Sequence, residues 1–327
     1  MRAGEDALIA RYFAPLAGPG ADALRDDAAT LTPSPGHDLV VTVDAIVAGV
    51  HHFPDDPPAS IARKVLGVNL SDLAAKGAVP RGFLLTLALP DDWTEAWLAA
   101  FAQGLGHAAG DAGCPLLGGD TVRAVGPALI SVTAFGEVPA GTMVRRPGAR
   151  AGDLLCVSGT IGDAALGLAL RLAPDDSLAL RLGDRHADAL RERYLHPRPR
   201  LALAPILRRH ARAAMDVSDG LAGDLAKLLA SGGLGARIRI ADVPLSEAAR
   251  ALLSLEPARI EAVLTGGDDY EILCALPPQA RDACLAQARA VGVPLTVIGT
   301  VLPERGTAFL DDDGTERHFE TASFSHF

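Results

Sequence analysis

The chain has only four cysteines, Cys114, Cys156, Cys274 and Cys284, and no two are spaced as CxxC. Neither a zinc site nor a thioredoxin-type redox pair is suggested. Each cysteine lies in an apolar run, where a free thiol behaves as a small hydrophobe, so a reducing cytoplasm is expected. Lysine is scarcer still: Lys64, Lys76 and Lys227 are all there are, and arginine carries the rest of the positive charge. With a formal net charge of −10, the chain is not suited to nonspecific binding of nucleic acid. No apolar run approaches the roughly 20 residues that cross a bilayer. The N-terminal stretch MRAGEDALIARYFAPLAG carries Glu5 and Asp6 and lacks a continuous apolar core, so it does not read as a signal peptide.

Familiar catalytic signatures are missing too. There is no GxxxxGK[ST] phosphate loop, no HRD and DFG pair, no GxSxG elbow, and His51–His52 has no HExxH partner.

Nearly half of the 327 residues are apolar, enough for two packed domains. The periodicity predicts a helix over 5–16, a β-branched strand over 38–44, a helix over 58–76, a strand over 82–90, a helix over 94–110, a short strand entering a glycine turn at 116–121, and a strand over 128–138. Residues 139–153, rich in Gly, Pro and Arg, read as a connector. Beyond it come further strands in LLCVSGT, GARIRIADVPL, DYEILCALP and LTVIGTVL, a helix over 162–171, and a strand–turn–helix over 213–229. Residues 173–188 read as a loop. The fold class is α/β, with domains at 1–138 and 149–327.

Acidic residues recur where apolar strands end. Asp44 closes TVD, Asp120 follows Gly118–Gly119, and Asp216 and Asp219 flank Ser218; Asp26–Asp27 and the helical Asp72 add to the set. In open α/β sheets ligands bind beyond strand ends. Converging carboxylates repel one another unless a cation such as magnesium bridges them to phosphate oxygens. The glycines of GGDT let the backbone approach an anion. Taken singly, each Asp reads more readily as a turn residue or a helix cap than as a ligand, Asp219 for the helix that follows it being an example.

Eight segments in order carry a resemblance: GEDALIARYF (4–13), DDAATL (26–31), TVDAIVAGVHHF (42–53), NLSDLAAKGAVP (69–80), GGDT (118–121), RRPGARAGD (145–153), MDVSDGLAGDL (215–225) and LTGGDDYEI (264–272). Together they resemble the thiamine-monophosphate kinase family. The wider fold is shared with aminoimidazole-ribonucleotide synthetase, selenophosphate synthetase and a hydrogenase maturation protein. The resemblance implies an ATP- and magnesium-dependent transfer of phosphate to thiamine monophosphate, giving thiamine diphosphate with no general base. It implies an N-terminal ATP- and metal-binding domain whose sheet forms a β-barrel with that of a second copy. It assigns metal ligation to Asp27, Thr42, Val43, Asp44, Asp72, Asp120, Asp216 and Asp219. ATP would be bound by Gly119, Asp120, Arg145, Arg146 and Ser218, and thiamine phosphate by His51, Asp268 and Phe324. Arg25, Lys76 and Asp268 depart from the family's usual Gly, Met and Glu. Selenophosphate synthetases typically carry an N-terminal cysteine and lysine; here none precedes Cys114 or Lys64. A noncatalytic binder of the same ligands is the other reading.

Overall fold

The computed structural model describes residues 4–173, 175–319 and 323–324. The chain divides into two units, one of residues 1–73 and 78–143 and the other of residues 74–77 and 144–327.

The first unit opens with a helical segment, α1 (Glu5–Leu8), which passes into a π-helical turn, Ile9–Phe13, and a 3-10 turn, Ala14–Leu16. The expected N-terminal helix is therefore present but irregular. Four strands follow, β1 (His37–Val47), β2 (Val79–Leu89), β3 (Leu116–Arg123) and β4 (Leu129–Pro139), with helices α2 (Pro58–Ala75) and α3 (Glu95–Ala112). Pro58 begins α2, where its missing N–H costs nothing. The Thr94 hydroxyl accepts from Trp97 N to cap α3, and Gly113 closes it at a φ of 59°. The sheet order is β1-β4-β2-β3, with only the β2–β3 pair parallel. This sheet is open, with β1 and β3 at its edges, so within one chain no barrel closes.

Two of the expected strand ends are not ends. β1 runs through Asp44 to Val47, because Ala45, Ile46 and Val47 continue the pairing with β4. GGDT is not a turn: Gly118, Gly119 and Asp120 pair along β2 with Leu84, Leu85 and Thr86. A Cβ at Gly119 would lie 2.0 Å from the Leu85 carbonyl oxygen, so glycine here serves close strand approach.

The second unit contains β5 (Leu154–Ser158), α4 (Asp163–Leu172), α5 (Ser177–Leu182), α6 (Asp184–Leu195), α7 (Ala204–His210), β6 (Ala213–Val217), α8 (Leu221–Ala230), β7 (Gly235–Arg239), α9 (Glu247–Leu255), α10 (Ile260–Thr265), β8 (Glu271–Leu276), α11 (Arg281–Ala290), β9 (Leu295–Leu302), β10 (Gly306–Leu310) and β11 (Glu316–Arg317). Residues 173–188, expected as a loop, instead carry α5 and the start of α6. The strand order is β11-β10-β7-β9-β5-β8-β6. One core cluster joins Leu155, Val157, Met215 and Val217 to α4, α6, α8 and α9. The other joins Cys156, Ala214, Ile272 and Cys274 to α7 and α11. Alternate residues of β5 and β6 enter different clusters, so helices cover both faces, and β6 and β8 are buried at every position. Burial pushes the Cys114 and Cys284 thiols up to about 12 and about 11, in keeping with inert core cysteines.

Candidate active site

In the first unit, the residues expected to hold metal fall into two groups. Alternation places Val40, Thr42, Asp44 and Ile46 on one face of β1, and this face meets α2. The Thr42 hydroxyl donates to Asp72 Oδ2 at 2.5 Å, and the Asp44 amide donates to Asn69 Oδ1 at 2.9 Å. Asn69 is fully buried and also donates to the Val65 carbonyl; nothing in the sequence pattern marked it. Val43, between Thr42 and Asp44 on the edge strand, has its side chain on the other face, 60% exposed.

Asp120 belongs to that other face, in a row across the sheet with Thr86, Ser131 and Ala45. There it lines a cavity of about 890 Å³ together with Asp26, Asp27 and Gly119, against apolar walls that include Leu39, Leu84 and Phe135. Asp26 Oδ1 accepts from the Asp27 amide, which turns the loop at the cavity's rim. Asp44 and Asp120 thus occupy opposite edge strands and opposite faces, and one chain does not bring them together.

His51 is half-buried, and its Nδ1 accepts from the Val47 amide at 3.1 Å. Its neighbour His52 is buried beside Asp56 and Lys64, and burial pushes its pKa down.

In the second unit the expected residues do assemble. Asp216 is buried near the end of β6, and Ser218–Asp219 form the turn into α8. The loop Gly266–Tyr270 lies along that turn: Asp268 N donates to Ser218 O and Tyr270 N to Val217 O, both at 2.8 Å. Asp268 and Tyr270 both hold positive φ, 72° and 51°, a costly conformation for side chains other than glycine. Phe324 joins the same turn, its amide donating to the Asp219 carbonyl at 3.0 Å, with its ring half exposed. The Arg145 carbonyl accepts from Ala214 N, so this arginine runs beside β6; the side chains of Arg145 and Arg146 are exposed. Lys76 Nζ donates to the Ala214 carbonyl at 2.9 Å.

Sequence reasoning did not find what supports this turn. Asp219 does not cap α8, whose N-cap is Gly220 without a side-chain bond. The buried Asp224 accepts instead from the amides of Ser218 and Asp219. Behind the Gly266–Tyr270 loop, Glu271 is fully buried and accepts from Ser158 Oγ, Arg193 Nη2 and both Nε and Nη2 of Arg200. Asp269 accepts from the Gly162 amide at 2.7 Å at the start of α4. Burial pushes its carboxyl well up, and the nearby Asp163 and Glu271 charges add to this against the opposing Gly162 amide and Arg193.

The donors fit a hard cation. The side chains of Asp27, Thr42, Asp44, Asp72, Asp120, Asp216 and Asp219, with the Val43 backbone, offer oxygen alone, and Asp27, Asp44 and Asp120 are exposed. Among the described residues no three His, Cys, Asp or Glu side chains form a preassembled metal cage.

The AIR synthase related protein N-terminal domain family matches residues 25–138, and its C-terminal domain family matches residues 150–312. The chain is 42% identical over 305 residues to the thiamine-monophosphate kinase of Caulobacter vibrioides, covering 92% of this chain and 84% of that one. The crystal structure of thiamine-monophosphate kinase from Stenotrophomonas maltophilia K279a superposes with a TM-score of 0.81 at 40% identity, covering 90% of this chain and 91% of that one. A structure of AaThiL complexed with AMPPCP and TMP gives a TM-score of 0.77 at 28% identity, covering 99% of this chain and 94% of that one.

Proposed function

The chain belongs to the thiamine-monophosphate kinase family, within the AIR synthase related fold, and from that premise we propose that it transfers the γ-phosphoryl group of ATP to thiamine monophosphate, giving thiamine diphosphate and ADP. The observation that carries this reading is a match to such kinases over nine-tenths of the chain, at 42% and 40% identity.

The acceptor is a phosphate monoester, whose second pKa is about 6, so it is already dianionic at neutral pH. A phosphate oxygen attacks the γ-phosphorus in line, the bond to the bridging oxygen breaks, and ADP leaves with that oxygen. No side chain need remove a proton, and no phosphorylated enzyme lies on the path. The obstacle is that two anions must meet. In the first unit Asp27, Asp44, Asp72 and Asp120, with Thr42 and the Val43 backbone, would hold magnesium, and in the second Asp216 and Asp219 would; it would supply the positive charge that lets the two anions meet. In the first unit, Gly119 and Asp120 bind ATP from the cavity they line, and His51 contacts the thiamine phosphate. In the second, Arg145, Arg146 and Ser218 bind the triphosphate, and Asp268 and Phe324 contact thiamine phosphate. The strain at Asp268 is what a residue held for contact with substrate shows.

A homodimer completes the picture. Val41 and Val43, outside that cavity's lining, are exposed on the open face of the first sheet, an apolar edge suited to pairing with its copy in a shared β-barrel. Residues 1–138 then act as the nucleotide, metal and dimerisation domain, residues 149–327 complete the kinase, and the enzyme works in the cytoplasm. The test is a coupled assay of the purified protein with ATP, magnesium and thiamine monophosphate. Equimolar ADP and thiamine diphosphate, dependent on magnesium, are expected. ADP without thiamine diphosphate overturns the choice of acceptor, and the absence of both products overturns the kinase.

A further inference from the structure

Three side chains at the start of α8 form one network. Asp224 is fully buried, and its Oδ2 accepts from the Ser218 and Asp219 amides at 3.0 and 2.9 Å. Its Oδ1 accepts from Lys227 Nζ at 3.0 Å, and the same ammonium donates to Asp219 Oδ2 at 2.5 Å. Asp224 therefore fixes the backbone of the turn, and Lys227 fixes the side chain at its tip. A carboxylate as buried as Asp224 is tolerated only when paired and hydrogen-bonded, and one ammonium with two amides meets that need. Burial works to push the Asp224 carboxyl up. Burial works against the Lys227 charge, but the two carboxylates outweigh it and hold the ammonium above its ordinary value. The Lys227 side chain is 42% exposed and that of Asp219 36%, so an ion from solvent can reach the pair.

We propose that Lys227 is a positioning residue for Asp219: a resident cation that holds this carboxylate before a divalent ion arrives, yields it when the ion binds, and stays on Asp224. The proposal rests on the assignment of Asp219 to the metal, made above. An ammonium hydrogen-bonded to a metal ligand repels an incoming dication and occupies one of the carboxylate's two oxygens. Lys227 thus orders the turn in the metal-free enzyme at the cost of metal affinity.

The experiment measures Mn²⁺ binding to the full-length protein without nucleotide, by electron paramagnetic resonance, alongside thermal melting with and without Mg²⁺. Lys227→Met is expected to bind Mn²⁺ about tenfold more tightly than wild type, the order of effect of removing a unit charge next to the site. It also melts lower than wild type without Mg²⁺ and regains more stability when Mg²⁺ is added. Should the single variant not fold, Asp224→Asn/Lys227→Met removes the buried charge together with its partner and keeps an oxygen for the two amides. This variant is expected to bind Mn²⁺ more tightly than wild type too, by a smaller factor. Adding Asp219→Asn to either variant is expected to abolish the gain. Unchanged or weaker Mn²⁺ binding in the Lys227 variants overturns the proposal, as does a gain that survives Asp219→Asn. If wild type forms no thiamine diphosphate, the kinase reading falls and this proposal with it. If wild type forms it and the Lys227 variants bind Mn²⁺ no more tightly, only this proposal falls.

Discussion

The Asp268 amide donates to the Ser218 carbonyl at 2.8 Å, so the GGDDY loop and the VSDG turn, remote in sequence, form a single wall of the second unit. The loop can lie so close only because residue 267 lacks a side chain: a Cβ there would sit 2.3 Å from the Ser218 carbonyl oxygen. Gly267→Ala must push the two segments apart. The expected cost is about 1–3 kcal/mol of stability, the usual range for overpacking, read as a lower unfolding midpoint. Turnover should fall further, by roughly a hundredfold, since a displacement near 1 Å at a positioning element has that effect. Activity close to wild type would mean that the loop and the turn need not be in register.

Asp44 and Asp120 are both exposed, and replacing an exposed carboxylate by its amide ordinarily moves stability by no more than about 0.5 kcal/mol. Asp44→Asn and Asp120→Asn are therefore expected to melt like wild type. Each should still lose roughly a hundredfold or more in thiamine diphosphate formation, the scale on which single electrostatic groups contribute to a transition state. Raising magnesium should recover part of the loss. Near-normal turnover in both variants would remove these residues from the metal set.

The elements were legible in the sequence wherever a single periodicity sufficed. β1 followed from its run of β-branched residues, and α2 and α3 from apolar spacing, because such patterns depend on one face of one element. The strand ends were harder. Asp44 and GGDT read as punctuation, since carboxylates and glycines usually end strands, and only pairing with β4 and β2 carries the chain past them. Asp224 and Glu271 were out of reach for a different reason. Their importance comes from partners supplied by the fold, a turn doubling back over α8 in one case and Arg193 and Arg200 in the other. That Asp44 and Asp120 face opposite ways was also hidden, since it is a property of sheet register.

Glu271 is fully buried and receives both Arg193 and Arg200. Burial works to lower the Arg200 pKa, but the hydrogen bonds and charge of Glu271 outweigh it and raise it. Arg200→Leu leaves the carboxylate with Arg193 and Ser158 alone. Breaking a buried pair from one side costs about 3 kcal/mol or more, and that loss is expected in urea unfolding. The double change Arg200→Leu/Glu271→Gln should lose more still, because it leaves the buried Arg193 without its carboxylate. A single variant as stable as wild type would show that Arg193 alone neutralises Glu271.

His52 sets an acid limit on the first unit. It is 4% exposed. Its Nδ1 lies 2.9 Å from the Phe53 carbonyl oxygen, and its Nε2 has no hydrogen-bond partner among the described residues. The Nδ1–H tautomer suits that carbonyl, leaving the bare Nε2 in the core, where a second proton would be unpaired. Burial is the main cause pushing the pKa down and Lys64 adds to it, while the Phe53 carbonyl and Asp56 oppose them. With the folded value below the unfolded one of about 6.5, the unfolded chain binds the extra proton first as acid is added. The stability held by neutral His52 is therefore complete above that unfolded value and is lost as pH falls through the folded one. His52→Leu cannot take up the proton. Melting of wild type and variant between about pH 7.5 and about pH 5 should show a smaller acid-side drop in the variant, by the linkage of proton uptake to folding. An identical drop in both proteins would assign acid sensitivity to groups other than His52.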